Sequence, residues 1–253
     1  MTIATTGDDG HAPLLSNRLL TRLTIGVAVL AGLTIGISIA GRVLGERIAL
    51  AGHTENAEPV DIVIGQDQIR LPANVIRFEE QRLSGRAERV DLYLTWPEMQ
   101  GYSNAERSRF NDANRPESLI FLSLSQSTMS KDMSGRLEPI YSHLFDGRTE
   151  LGPAALTLRQ LKDNSGYGNE VFFTGTLPDG SDYAVRCMMP AQDAPSTSAD
   201  CQRDIHIGSD LSVLYRFSSR LLPQWQAMEA RVRDYVGQSL IRNGRPLAVN
   251  RSR

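Results

Sequence analysis

The chain has 253 residues, of which 41% are hydrophobic and 22% are charged, and its formal net charge at pH 7 is −2. This near-neutral balance gives no electrostatic argument for binding nucleic acid, so we expect no nucleic-acid partner. Only Lys131 and Lys162 among the 27 basic residues are lysines. Genome composition explains this preference for arginine as readily as recognition of phosphate or carboxylate groups does.

The first predicted element is a membrane-spanning helix. Residues 23–41 include no ionisable side chain and lie between Arg22 and Arg42. At about 1.5 Å per residue they form a helix of roughly 28 Å, close to the hydrocarbon thickness of a bilayer. We therefore predict a transmembrane helix over residues 18–44, with the lipid bilayer as its partner. A cleaved signal peptide is the alternative, but signal peptides have shorter apolar cores.

Small residues recur along one side of this helix. Ala28, Gly32, Gly36 and Ala40 are spaced four residues apart, so they lie on one ridge. Transmembrane helices associate through close backbone approach past such residues. The spacing predicts docking on another membrane protein, or on a second copy of this chain. The alternative is that glycine and alanine are simply common in membrane spans.

The two cysteines of the chain bear on its compartment. Cys187 and Cys201 are separated by thirteen residues, and their spacing is not that of a CxxC motif. We predict a disulfide between them, as in exported domains, although two free thiols are the alternative. The arginines near the two ends of the predicted helix are balanced and do not set its orientation: Arg18 and Arg22 precede it, and Arg42 and Arg47 follow it. The predicted disulfide therefore favours a periplasmic C-terminal domain and a cytoplasmic N-terminus.

The rest of the chain divides by composition. Residues 1–17 are predicted to be a disordered cytoplasmic tail, and residues 45–58 a polar stalk. Residues 59–241 are predicted to form the periplasmic domain. Residues 242–253 are predicted to be a basic tail.

The predicted domain consists mainly of short strands. Val90, Leu92 and Leu94 alternate with polar residues, which is typical of a half-buried strand. Turn residues at 178–180 and 208–210 predict two hairpins. An amphipathic helix is predicted at 223–240. The fold class is therefore α+β and β-rich, with an N-terminal transmembrane helix, one antiparallel-sheet domain and a C-terminal amphipathic helix. The predicted strands are 60–64, 68–71, 89–96, 118–125, 156–160, 170–177, 182–189, 201–207 and 211–217.

The sequence contains little that resembles an active site. The four histidines are His11, His53, His143 and His206. Asp204 and His206 would share one strand face, either as a proton-transfer pair or simply as an exposed polar face. Residues 128–131 miss the SxxK pattern because threonine stands at the position of the nucleophile. We predict no catalytic, cofactor-binding or metal-binding residues, and no cofactor.

A possible binding loop follows the strand at 89–96. It contains Trp96, Glu98 and Tyr102, whose side chains could contact a glycan or a partner protein. Trp96 also continues the buried face of that strand, so packing in the core is the alternative role for its ring.

Several segments together resemble a family of alphaproteobacterial membrane-anchored proteins. They include GRVLGERIALAGHTE, RVDLYLTWPEMQGY, CQRDIHIGSD and VLYRFSSRLLPQW. The resemblance covers about residues 14–236 and implies an inner-membrane protein of a Gram-negative cell. It implies no catalytic residue.

These observations favour a non-enzymatic accessory or scaffold protein of an inner-membrane or envelope complex. A periplasmic module that senses a ligand or glycan through the loop at 96–102 is the alternative. An envelope hydrolase is the third hypothesis. A pocket that placed Asp204 and His206 beside a nucleophile would favour it.

Overall fold

The computed structural model describes residues 17–50, 52–191, 194–242 and 245–246. The chain divides into two compact units, Met1–Ala51 and Gly52–Arg253. Most of the predicted tails, at 1–16 and 247–253, lies outside the described residues.

The described residues of the first unit form one long helix, α1 (Asn17–Leu50), of 34 residues. Its segment Thr21–Ser38 is long and apolar enough to cross a membrane, a property that an N-terminal signal sequence would share. At about 1.5 Å per residue the whole helix is roughly 51 Å long, more than a bilayer core requires. It extends through the predicted span into the first part of the predicted stalk.

The second unit contains thirteen strands and two α-helices in the described residues, and is mixed α+β and β-rich, which confirms the predicted fold class. The helices are α2 (Arg107–Asn111) and α3 (Trp225–Ser239). The strands are β1 (Pro59–Ile64), β2 (Asp67–Pro72), β3 (Gly85–Arg86), β4 (Arg89–Thr95), β5 (Leu119–Gln126), β6 (Phe145–Leu151), β7 (Thr157–Leu161), β8 (Glu170–Thr176), β9 (Asp182–Met188), β10 (Cys201–Ile207), β11 (Leu211–Phe217), β12 (Ile241–Arg242) and β13 (Arg245–Pro246).

Eight strands form one antiparallel sheet in the order β4-β5-β11-β10-β9-β8-β7-β6. The chain leaves β5, crosses to the far edge of the sheet at β6, and returns strand by strand until β11 pairs with β5. Strands β1, β2 and β3 form a smaller sheet in the order β2-β1-β3, and β12 pairs with β13.

The main core lies between the inner face of the large sheet, the small sheet and α3. Alternation places Val90, Leu92 and Leu94 of β4 on this inner face, where each is at most 1% exposed. The buried side of α3 carries Trp225, Met228, Val232 and Val236, spaced by about one helical turn. Burial of this apolar surface is the main source of the domain's stability.

The outer face of the large sheet is partly covered by the crossover between β5 and β6, residues 127–144. A second, smaller core forms there, in which Met133 and Tyr141 of the crossover pack on Phe172 and Ala184 of the sheet. The outer face of β4, β5 and β11 carries more polar side chains.

The large sheet has a short junction between β9 and β10. These strands share only two residue pairs, Cys201 with Cys187 and Gln202 with Arg186. The predicted disulfide forms across the first of these pairs. Backbone pairing between the two strands ends at Gln202. From there the Arg203 side chain of β10 contacts β9, because its Nη1 donates a hydrogen bond of 2.8 Å to the carbonyl oxygen of Ala184. The sheet therefore consists of two four-stranded halves, with the disulfide at their boundary.

Candidate functional site

The small residues of α1 lie on one ridge of a continuous helix. Ala28, Gly32 and Gly36 are exposed, while the side chain of Ala40 lies outside the described residues. A Cβ atom placed on Gly32 or Gly36 would meet no atom within 4 Å. Larger side chains therefore fit at these positions without a clash in the chain itself. Docking through this ridge stays a prediction.

The predicted binding loop is mostly buried. The exposed fraction is 5% for Trp96 and 0% for Tyr102. Trp96 Nε1 donates a hydrogen bond of 2.9 Å to Gln224 Oε1, and its ring packs in the main core. The two rings therefore offer no surface to a ligand in this conformation, and of the three predicted loop residues only Glu98 lies at the surface.

Glu98 lies beside an open cleft between the loop and α3. The cleft has a volume of about 460 Å³. Its lining residues are Glu98, Met99, Arg231, Asp234, Tyr235 and Gln238. A hydrogen bond from Arg109, 2.8 Å from Nη2 to the carboxylate, lowers the pKa of Glu98. The carboxylate therefore stays charged at neutral pH, and a ligand that meets it must compete with Arg109.

His53 belongs to the second unit and packs among its aromatic side chains, although the sequence analysis placed it in a polar stalk. Its ring stacks on Tyr102 with the centroids 4.5 Å apart, and its Nδ1 lies 3.1 Å from the hydroxyl oxygen of Tyr93. The ring edge of Phe110 closes this cluster of aromatic residues. Burial lowers the pKa of His53 below its usual 6.5.

The lowered pKa of His53 predicts acid sensitivity. Because the folded state binds this proton less readily than the unfolded state, the contribution of His53 is fully present above pH 6.5. It should be lost as the pH falls below that value. We expect the melting temperature of the wild-type chain to fall more steeply between about pH 7 and pH 5 than that of His53→Gln, which cannot protonate. Parallel curves for the two proteins would contradict this assignment.

Asp204 and His206 both lie on the outer face of β10, but they do not act on each other. The Asp204 carboxylate forms an ion pair with Arg136 of the crossover. His206 Nε2 lies 2.9 Å from Ser127 Oγ, and the Ser127 hydroxyl donates a hydrogen bond of 2.7 Å to the carbonyl oxygen of Met129. The serine proton is thus already used, so His206 is the donor to Ser127. Both residues hold the crossover against β10, in place of the acid–base arrangement that a hydrolase requires.

The most strongly perturbed charged groups form a closed cluster that the sequence analysis did not predict. Arg203 Nε lies 2.9 Å from Glu229 Oε2, and the Tyr215 hydroxyl donates to the same oxygen at 2.7 Å. The side chains of Arg203 and Glu229 are only 0% and 3% exposed. Burial alone would raise the pKa of Glu229, but the hydrogen bond and charge of Arg203 outweigh it and lower the pKa. This cluster joins α3 to the sheet and is closed to a substrate.

No group of three or more His, Cys, Asp or Glu side chains that could hold a metal ion occurs among the described residues. The predicted absence of a metal and a cofactor stays a prediction.

No protein-family model matches the chain, and no curated protein matches it with significance. An immunity protein of the Stenotrophomonas maltophilia type IV secretion system has a TM-score of 0.49 and 17% identity, covering 76% of this chain and 96% of its own. The iron-regulated outer membrane lipoprotein FrpD of Neisseria meningitidis has a TM-score of 0.45 and 11% identity, covering 74% and 94% respectively. At these values the likeness supports no argument about activity or partners.

Proposed function

We propose that this chain is a membrane-anchored, non-enzymatic accessory or scaffold protein of an envelope complex. Helix α1 would span the inner membrane, with the N-terminus in the cytoplasm and the second unit in the periplasm. The observation that carries the proposal is the combination of the apolar segment Thr21–Ser38 with the disulfide between Cys187 and Cys201. Together these two features indicate a membrane-anchored or secreted protein.

The bonding of the polar side chains supports a non-enzymatic role. Asp204 is held by Arg136, and the Ser127 hydroxyl by the carbonyl oxygen of Met129. The Arg203 and Glu229 side chains are closed to solvent. Catalysis needs a nucleophile or base that can reach a substrate, and these groups instead stabilise the fold.

The proposed docking of α1 on a membrane partner predicts the effect of two substitutions. Gly32→Leu together with Gly36→Leu should remove the close approach of the partner helix and reduce its recovery by about fivefold or more. The measurement is a crosslinked, detergent-solubilised pull-down from native membranes. Gly26→Leu is the matched control, because it lies on another side of the helix and also meets no atom within 4 Å.

We expect one membrane protein to copurify stoichiometrically with the wild type and with Gly26→Leu. If the double variant recovers as much of the partner protein as the wild type does, the ridge of small residues does not mediate docking. If no other membrane protein copurifies with any of the three proteins, the accessory role is wrong.

The second candidate is a ligand-binding module, and the specific observation in its favour is the 460 Å³ cleft beside Glu98. The buried rings of Trp96 and Tyr102 do not favour glycan stacking. A thermal-shift screen of sugars, amino acids and polyamines tests this candidate. A ligand that raises the melting temperature of the wild type but not of Glu98→Gln would support it. The absence of any shift would count against it.

A further inference from the structure

A continuous row of side chains crosses the outer face of the large sheet. Phe121 of β5 pairs with Arg216 of β11, Arg216 with Gln202 of β10, and Gln202 with Arg186 of β9. Phe172 of β8 follows Arg186 in the same row. Directly paired residues point to the same face, so arginine and aromatic side chains lie side by side across five strands.

Arg77 extends this row at its β5 end. Its backbone N–H donates a hydrogen bond of 2.8 Å to the carbonyl oxygen of Asp91, which holds it beside β4. Its guanidinium carbon lies 5.1 Å from the centroid of the Phe121 ring. Such stacking fixes the plane of a guanidinium and leaves its N–H groups free to bind an anion. Arg77 and Arg216 line one small cleft of about 50 Å³, together with Asp91, Phe121 and Ser123.

The charges of Arg77 and Arg216 are not neutralised within the described part of the chain. Neither guanidinium forms an ion pair or a hydrogen bond there, and both residues are exposed. The nearby carboxylate of Asp91 already accepts hydrogen bonds from Arg89, at 2.9 Å, and from Gln81, at 3.0 Å. Two positive charges therefore flank an aromatic ring, and the one carboxylate that lines the same cleft is bonded to Arg89 and Gln81 instead of to them.

We propose that Arg77 and Arg216 bind a carboxylate side chain from an acidic segment of a partner protein. Guanidinium groups pair with carboxylates through two parallel hydrogen bonds, and Phe121 offers an apolar floor for the methylene groups of the segment. The open part of the row ends at this cleft, because Arg186 is already paired with Glu170 at 3.2 Å and Phe172 is buried. The apolar floor of Phe121 is what favours a protein side chain over a bare inorganic anion. This inference rests on the proposed scaffold function and names the chemistry of its partner.

The test measures binding of fluorescently labelled poly-L-glutamate to the full-length chain in detergent micelles. We expect Arg77→Gln with Arg216→Gln to weaken binding by about tenfold or more at roughly physiological ionic strength. The matched control is Arg107→Gln with Arg115→Gln, which removes two exposed arginines elsewhere and so leaves the same net charge. Control binding should stay within about twofold of the wild type.

Three results would overturn the site. These are equal binding by the Arg77/Arg216 variant and the wild type, an equal loss in the control variant, or displacement of the peptide by inorganic phosphate at an equal concentration of anionic groups. The last result would indicate a small-anion site. The membrane partner could still copurify in the pull-down while the arginine variant binds poly-L-glutamate as well as the wild type does. That combination would leave the scaffold role intact and exclude only this binding site. Conversely, the arginine variant could lose poly-L-glutamate binding while no membrane partner appears in the pull-down. That combination would support the binding site and exclude the scaffold role.

Discussion

Arg203→Met should lower the free energy of unfolding of the second unit by about 3–5 kcal/mol, because it leaves a buried carboxylate without its main partner. Arg203 donates hydrogen bonds to Glu229 at 2.9 and 3.1 Å, to Ser134 Oγ at 2.7 Å and to the carbonyl oxygen of Ala184 at 2.8 Å. The substitution also removes the group that bridges β9 and β10. The measurement is urea denaturation of the full-length chain, followed by the fluorescence of Trp225 and Trp96.

Arg233 gives the matched control for this prediction. It contacts the same Glu229 carboxylate at 2.7 Å, but its side chain is 41% exposed. Arg233→Met should therefore lower the free energy of unfolding by less than about 1 kcal/mol. Adding Glu229→Leu to Arg203→Met should recover part of the loss, since no unpaired charge then remains buried. Equal losses for Arg203→Met and Arg233→Met would contradict the assigned role of burial.

The same pair predicts how stability depends on pH. Because the folded state lowers the pKa of Glu229 below 4.5, its contribution is present above that value and is lost as the pH falls through the folded-state pKa. Arg203→Met removes the largest of the interactions that lower the pKa of Glu229 and leaves only those of Tyr215 and Arg233 against burial, so this pKa should rise relative to the wild type. The wild type should therefore keep its stability to a lower pH than this variant does.

Removal of the disulfide should cost about 3 kcal/mol and should open the sheet at one defined place. Cys187 and Cys201 are 14 positions apart in the chain, and they form one of only two residue pairs between β9 and β10. We expect Cys187→Ala with Cys201→Ala to show faster amide exchange at this junction than elsewhere in the two halves of the sheet. The measurements are chemical denaturation and hydrogen exchange.

Dithiothreitol provides the control for this experiment. It should destabilise the wild type to a similar extent and leave the alanine variant unchanged, because only the wild type has a bond to reduce. A wild type that is equally stable with and without the reductant would show that the two halves are held together by other contacts, such as those of Arg203.

The strands with one buried face could be predicted from alternation. Strands β4 and β5 and the hairpins of β8–β9 and β10–β11 occur where the sequence predicts them, because apolar residues recur every second position there. Strand β6 was not predicted. Its residues Asp146, Arg148 and Glu150 belong to an edge strand that is mostly exposed, so burial imposes no apolar alternation on it.

The buried ion pair could have been found from the sequence only by combining two elements. Arg203 lies in phase with the apolar residues Cys201 and Ile205 of β10, and Glu229 lies on the buried side of α3. Each residue alone looks like an ordinary polar position in a half-exposed element. The burial of Tyr102 was not predictable from its loop, since it depends on the distant ring of His53.

The position of β5 constrains when the domain can fold. Strand β5 lies between β4, which precedes it closely, and β11, which is made only after five intervening strands. Long-range pairing of this kind slows folding, because the chain must close a large loop before contacts form. If the second unit crosses the membrane with its N-terminal end first, the apolar inner face of β5 emerges well before its partner. The sheet can then close only after β11 has crossed the membrane. Until then the exposed apolar face of β5 can bind chaperones or aggregate with other chains.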